Sequence, residues 1–310
     1  NNILPNRISA SYDDSIHTDQ LLKWITEQQG SWAACINYMD AHIPYQPREE
    51  HNIFIHDSDS PDGDTGGSKW EFFSGARRFS QLAWLERLYD GAIHQVDAEV
   101  RRLIEGLKSF DEYEDTLIVI AGDHGDAFGE KSELRDCRCV HHGITARAHE
   151  TILHVPLVVK SPQQDSGRII SNITTLTNFP QAVISVIDDN QAIESFDTNE
   201  SVIGYSPPIN MLEMSDAGDY SIDNMSPFEK PMRVVYDHSD MTVRKYVEWN
   251  GQSKLEMIRS DSDVEDTQKD PLQKVQSEFD KVSDQNVVHA VETKLNPAVK
   301  QRLEELGYIY

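Results

Sequence analysis

Residues 116 to 130 read TLIVIAGDHGDAFGE, so an apolar run, Leu117 to Ala121, passes directly into Asp123 and His124. A carboxylate and an imidazole side by side can form half of a metal site. Adjacent residues on a straight strand point to opposite faces. Both can face one ion only where the backbone turns, and Gly122 and Gly125 flank the pair to permit that turn. The plainer alternative is a strand-to-helix corner in which Asp123 caps the next helix.

A second polar corner is MDAHIPYQP, residues 39 to 47. His42 lies between Asp40 and Pro44, in a stretch held extended because the residue before a proline avoids the helical region. A third cluster is RDCRCVHHG, with Cys137, Cys139, His141 and His142. Cys-x-Cys-x-His-His has zinc-ligand chemistry, but the ligands are too crowded for most structural zinc sites. One of these histidines, or Lys131, is better placed to reach into a cleft from a loop.

The elements that must position these corners follow from periodicity. Residues 19 to 30 have helical spacing and end at Gly30. Trp32 to Tyr38 then read as a buried strand opening into the loop at Asp40. Residues 78 to 108 carry a long helical pattern through Phe79, Leu82, Leu85, Leu88, Ile93, Val96, Val100, Leu103 and Leu107. The strand LIVIA follows, then HVPLVVKSP, stopped by Pro162, then a short strand and a helix begun near Phe179-Pro180. Alternating helices and strands indicate an α/β layer, in which ligands gather at the carboxyl ends of the strands. The acidic loop 57 to 67 resembles a calcium loop, but the twelfth position from Asp62 is Phe73, so an EF-hand is excluded.

From about residue 190 the character changes to a linker-like stretch and a proline-punctuated turn, YSPPIN. Residues 232 to 258 then alternate as an antiparallel meander, with Asn250-Gly251 as a hairpin turn. An acidic stretch, 260 to 270, precedes a last helix in NPAVKQRLEELGYIY. The expected division is an α/β core over 1 to 210 and a small α+β subdomain over 211 to 310.

Charge narrows the partners. There are 53 acidic and 28 basic residues in 310, a formal net charge of −25. Such a surface repels nucleic acid and anionic membranes, so neither is expected as a partner. It also suits high salt, where screening removes self-repulsion, which hints at a halophilic source. No window of 18 apolar residues occurs, and a cytoplasmic location is favoured over a secreted one. Cys35, Cys137 and Cys139 imply no disulfide framework. Asn172, Asn199 and Asn224 head short glycosylation-like triplets that carry little weight.

Taken in order, NYMDAHIPYQP, LYDGAIHQVDAEVRRLIEGL, TLIVIAGDHGDAFGE, HHG…HETILHVPLVV and LEELGYIY resemble the successive blocks of the sulfatase family, within the alkaline phosphatase superfamily. The resemblance implies an alkaline phosphatase-like α/β sandwich with a mostly parallel central sheet flanked by helices. VRKYVEWNGQSKLEMI resembles that family's small C-terminal antiparallel subdomain. By the same resemblance, Asp123 and His124 are ligands of a divalent cation, usually calcium; the imidazole keeps manganese or zinc in play. His42 matches the histidine that contacts the sulfate ester. His142 matches a basic residue that neutralises the leaving oxygen, with His141, Lys131 or His149 as alternatives because the loop before it is long. The implied substrate is a small-molecule or glycan sulfate ester.

One departure stands out. The family's nucleophile lies in a Cys/Ser-x-Pro-x-Arg block, and no such block occurs here: Cys35 is followed by Ile-Asn-Tyr, and Cys137 and Cys139 lack Pro-x-Arg. The paired aspartates that complete the family's metal site are also missing, Asp13-Asp14 having the wrong context. The expectation is a sulfuric-ester hydrolase whose N-terminal part, with the nucleophile, lies outside this sequence. A phosphodiesterase or phosphonate monoester hydrolase of the same superfamily is the alternative, and a non-catalytic sulfatase-like binding module is a third.

Overall fold

The computed structural model describes residues 15–55, 66–189, 196, 201–220, 222, 225–239, 242–259 and 270–284. The expected helix in 296 to 310 lies outside these residues, as do Asp13-Asp14, most of the acidic loop 57 to 67, Asn199, Asn224 and the stretch 260 to 269.

Helix α1 (Ser15–Thr26) packs on a long helix, and α2 (Lys69–Phe73) is a single short turn capped by the Ser68 hydroxyl. The long helix, α3 (Leu82–Ser109), buries Leu82, Leu85, Leu88, Ala92 and Leu107 on one face. That face meets Tyr45, Phe72 and Val140 in the largest core cluster. Ile93, part of the expected apolar stripe, is exposed instead. Buried Gln95 and Glu99 occupy the inward face there. Gln95 accepts from the Arg48 backbone N–H at 2.8 Å, and Glu99 pairs with Arg48 at 3.3 Å. Gly91 lets this loop close on the helix: a Cβ there would stand 3.0 Å from Pro47 Cγ and 3.2 Å from the His51 carbonyl. Polar tethers and a bare glycine thus fix the segment that carries His42.

Strands β1 (Ile118–Ala121), β2 (Phe128–Lys131) and β3 (Arg138–Val140) follow, then α4 (Glu150–Leu153) and β4 (Leu157–Lys160). β1 pairs with β4, and β2 with β3, both antiparallel. The expected mostly parallel central sheet is not seen among the described residues. Parallel pairing needs a crossover that returns the chain to the same end of the sheet. Here β2, β3 and α4 lie between β1 and β4, and His154 to Pro156 feed the chain back alongside β1 in the opposite direction.

Trp32 to Tyr38 is also different from expectation. It is mostly exposed and pairs with no strand among the described residues. Its aromatic ends are tied elsewhere. The Trp32 indole donates to Glu112 at 3.3 Å and packs edge-on against Trp24, and the Tyr38 and Thr18 hydroxyls meet at 3.0 Å. Strand propensity needs a neighbouring strand to be realised.

Helix α5 (Phe179–Asp189) starts where Pro180 is tolerated in its first turn. The remaining elements are β5 (Val202–Ser206), α6 (Met211–Asp219), β6 (Met232–Ser239), β7 (Thr242–Trp249), β8 (Gln252–Arg259) and α7 (Pro271–Asp284). Strands β5 to β8 form one antiparallel sheet in chain order. Asn250 and Gly251, with φ of 50° and 77°, make the β7–β8 turn as the sequence indicates. β5, α6 and α7 are additions to the sequence reading. The sheet is anchored to the core by buried Lys245, whose Nζ lies 2.6 Å from Glu133 and 3.6 Å from Glu150. The Tyr236 hydroxyl donates to the same Glu150 at 2.6 Å.

Candidate active site

The turn after β1 is built by close backbone approach. Gly125 N–H donates to the Ile152 carbonyl at 3.0 Å, and a Cβ at Gly125 would fall 1.9 Å from the Thr151 carbonyl oxygen. No other residue fits there without displacing α4. Gly122 N–H donates to the Pro156 carbonyl at 3.2 Å. Between these two anchors the chain turns, and Asp123 and His124 come to one side.

Asp123 Oδ1 accepts the His124 backbone N–H at 2.9 Å, and its other oxygen lies 3.9 Å from His124 Nε2. His124 Nδ1 is 2.9 Å from the Gly125 carbonyl, which can only accept, so Nδ1 carries the proton. In that tautomer Nε2 is the lone-pair nitrogen, on the side of Asp123 Oδ2. The Asp123 side chain is well exposed, so its carboxylate is open to an ion.

Three imidazoles form a row. His142 stacks on His124 with centroids 4.3 Å apart, and His42 meets His142 at 5.2 Å. His42 Nδ1 donates to the Ile43 carbonyl at 2.7 Å, which again leaves Nε2 available. Burial, and next the neighbouring His142, hold His42 below the ordinary imidazole range.

Beneath the row sits Asp126, almost fully buried. It accepts the hydroxyl of Tyr45 and faces the Nδ1 atoms of His141 and His142 at 3.8 and 3.7 Å. Burial alone would raise this carboxyl; the two imidazoles reverse the effect and hold it well below the usual carboxylate range. Asp126 and Tyr45 are the members of the site that sequence reasoning missed. Both lie inside stretches already singled out, GDHGD and HIPYQP, but nothing local marks them as partners.

The remaining candidates are placed differently. His141 is buried, with φ of 53°, its ring edge-on to Phe72, and it backs Asp126 rather than joining the row. Lys131 ends β2 opposite Arg138 and is exposed. His149 caps α4, its Nδ1 accepting from Thr151 N–H at 3.2 Å. Cys139 packs with Ala127, Ala146 and Ile152. Burial pushes the Cys137 thiol up to about 11 and Cys139 higher still, so both are protonated packing groups. Among the described residues no three His, Cys, Asp or Glu side chains converge closely enough to enclose an ion. Asp123 Oδ2 and His124 Nε2 are two donor-type atoms 3.9 Å apart.

A family model described as Sulfatase matches residues 1–188. The chain belongs to the sulfatase family. Its α/β fold is similar to that of the "putative sulfatase yidJ" from Bacteroides fragilis, with a TM-score of 0.50 and 14% identity. That match covers 96% of this chain and 60% of the other, so the chain spans less than two thirds of that sulfatase. No curated protein sequence matches it significantly. The family match includes His42, Asp123, His124, Asp126 and His142, so the whole imidazole row lies within the sulfatase region. No helix among the described residues is long and apolar enough to cross a membrane.

Proposed function

We propose that this sulfatase-family chain carries the cation-binding and sulfate-binding residues of a sulfuric-ester hydrolase. The observation behind this reading is the juxtaposition of the Asp123–His124 turn with the His42–His142–His124 row. Asp123 and the free Nε2 of His124 would hold a divalent cation, calcium first, with manganese or zinc as alternatives. Bound there, such an ion would supply polarisation of the non-bridging oxygens of the ester.

The chain's own groups do the rest. His42, with Nδ1 donating to a carbonyl, can donate from Nε2 to a sulfate oxygen only as the imidazolium. A bound sulfate anion would itself stabilise that charge against the burial that disfavours it. His142, held by Asp126 on its Nδ1 side, has Nε2 left to give a proton to the departing alkoxide. His141 supports Asp126 from below, and Lys131 could reach a charged substrate only from the rim. The sequence holds no Cys/Ser-x-Pro-x-Arg block, and the proposal assigns no nucleophile.

Elemental analysis after dialysis against calcium or manganese tests the cation assignment. The protein should retain the metal and Asp123→Ala should not; equal metal in both contradicts it. Binding of 4-nitrophenyl sulfate in the presence of the ion tests the ester class. A clear preference for bis(4-nitrophenyl) phosphate would instead support a phosphodiesterase.

A further inference from the structure

The Asp123–His124 turn borders a cavity of about 750 Å³, walled by the α4–β4 connection, residues 170–176 and the C-terminal sheet. Its size is that of a small-molecule pocket. Its walls are mainly aliphatic: Leu153, Leu157, Ile173, Leu176, Val202 and Ile203. Beyond Asp123 and His124, the polar elements are Ser171, Asn172, Thr174 and Thr175, with Glu150, the His154 imidazole 3.4 Å from it and the Tyr236 hydroxyl bound to it at 2.6 Å. Among the described residues no Lys or Arg lines it. Lys245 lies behind the wall, its charge already met by Glu133 and Glu150.

We infer that this cavity receives the alcohol half of the sulfate ester, and that this alcohol is uncharged and largely apolar. The inference rests on the sulfuric-ester reading for the identity of the other half. Continuity carries it: Asp123 and His124 belong both to the cation corner and to the cavity lining, so an ester held at the corner has its alkyl or aryl group directed inside. Chemistry narrows the occupant. Aliphatic walls reward apolar surface. A second sulfate deeper in the cavity would meet the Glu150 carboxylate, with no Lys or Arg in the lining and the His154 imidazole already 3.4 Å from that carboxylate, so a polysulfated glycan is disfavoured. The hydroxyls and the Tyr236–Glu150 pair provide for one or two alcohol or amide groups. The C-terminal sheet therefore does more than complete the fold. Through β5 and β6 it forms the wall that selects the substrate.

The test uses the full chain, calcium, and three probes: 2-naphthol, 2-naphthyl sulfate and a disulfated disaccharide, with binding read by saturation-transfer NMR and calorimetry. Ile203, on edge strand β5, is 37% exposed and tolerates substitution better than a core position. Ile203→Asp should weaken both naphthyl probes by roughly tenfold, by placing a further carboxylate in the aliphatic wall of a lining that holds Asp123 and Glu150 and no Lys or Arg. Ile203→Ala should weaken them less and settles the matter if the Asp variant does not fold by circular dichroism. Undiminished naphthyl binding in folded Ile203→Asp, or tighter binding of the disaccharide than of naphthyl sulfate, overturns the inference. If 2-naphthol binding depends on Ile203 while the sulfate adds no affinity, the cavity assignment stands and the sulfuric-ester reading falls.

Discussion

Asp126→Ala is expected to lower the free energy of unfolding by about 3 kcal/mol, the scale for removing one partner of a buried charged cluster. The loss is large because three groups depend on this carboxylate. Tyr45, fully buried, loses the acceptor for its hydroxyl, and His141 and His142 lose the negative charge facing their Nδ1 atoms. A buried hydroxyl left unpaired alone costs about 1–3 kcal/mol. Asp126→Asn keeps an acceptor for Tyr45 and should cost less. Urea unfolding followed by circular dichroism measures both. Wild-type stability in Asp126→Ala would show that the carboxylate is not the keystone beneath the imidazole row. The row should also lose order in the Asn variant, seen as altered chemical shifts at His142 and at His42, whose ring packs on it.

Lys245→Met is expected to be at least as damaging, by about 3–5 kcal/mol. Its ammonium is fully buried and pairs with Glu133, which is itself only 5% exposed. Removing the cation strands that carboxylate in the interior. The physical argument makes a second demand: Glu133→Leu combined with Lys245→Met should recover most of the loss, because a buried pair replaced as a unit by apolar groups is often neutral. Thermal melts of the single and double variants decide the point. Equal melting of wild type and Lys245→Met would mean that the C-terminal sheet is held to the core by apolar packing alone, through Ala148, Met232, Val234 and Val247.

These two residues also show where sequence reasoning stopped. The corner at Asp123 and His124 was legible because its glycines and apolar strand are contiguous. Helix α3 and the β6–β8 meander were legible because their periodicity is local. Asp126 and Tyr45 meet across 81 residues, and Lys245 and Glu133 across 112, so no spacing rule could pair them. The segment Trp32 to Tyr38 misled for the opposite reason. Its composition suits a strand, but composition cannot supply a neighbour, and the described chain ties its aromatic ends to α1 and the α3–β1 turn instead. Strand β5 was hidden by the linker-like residues before it. Helix α6 was hidden by the prolines before Asn210, whose side chain and Glu213 form the capping box that starts it.

The histidine resonances give the most direct test of a cation at the Asp123–His124 corner. Titrating Mn²⁺ into the protein while recording imidazole proton–carbon spectra reports proximity to the ion residue by residue. His124 should broaden first, followed by His142 and His42 as the row predicts. The His51–His94 pair, with Nδ1 atoms 3.2 Å apart on the α3 side of the core, should respond only at higher concentration. Asp123→Ala should abolish the early broadening and leave the late one. Early broadening of His51 and His94, with His124 unaffected, would contradict the assignment.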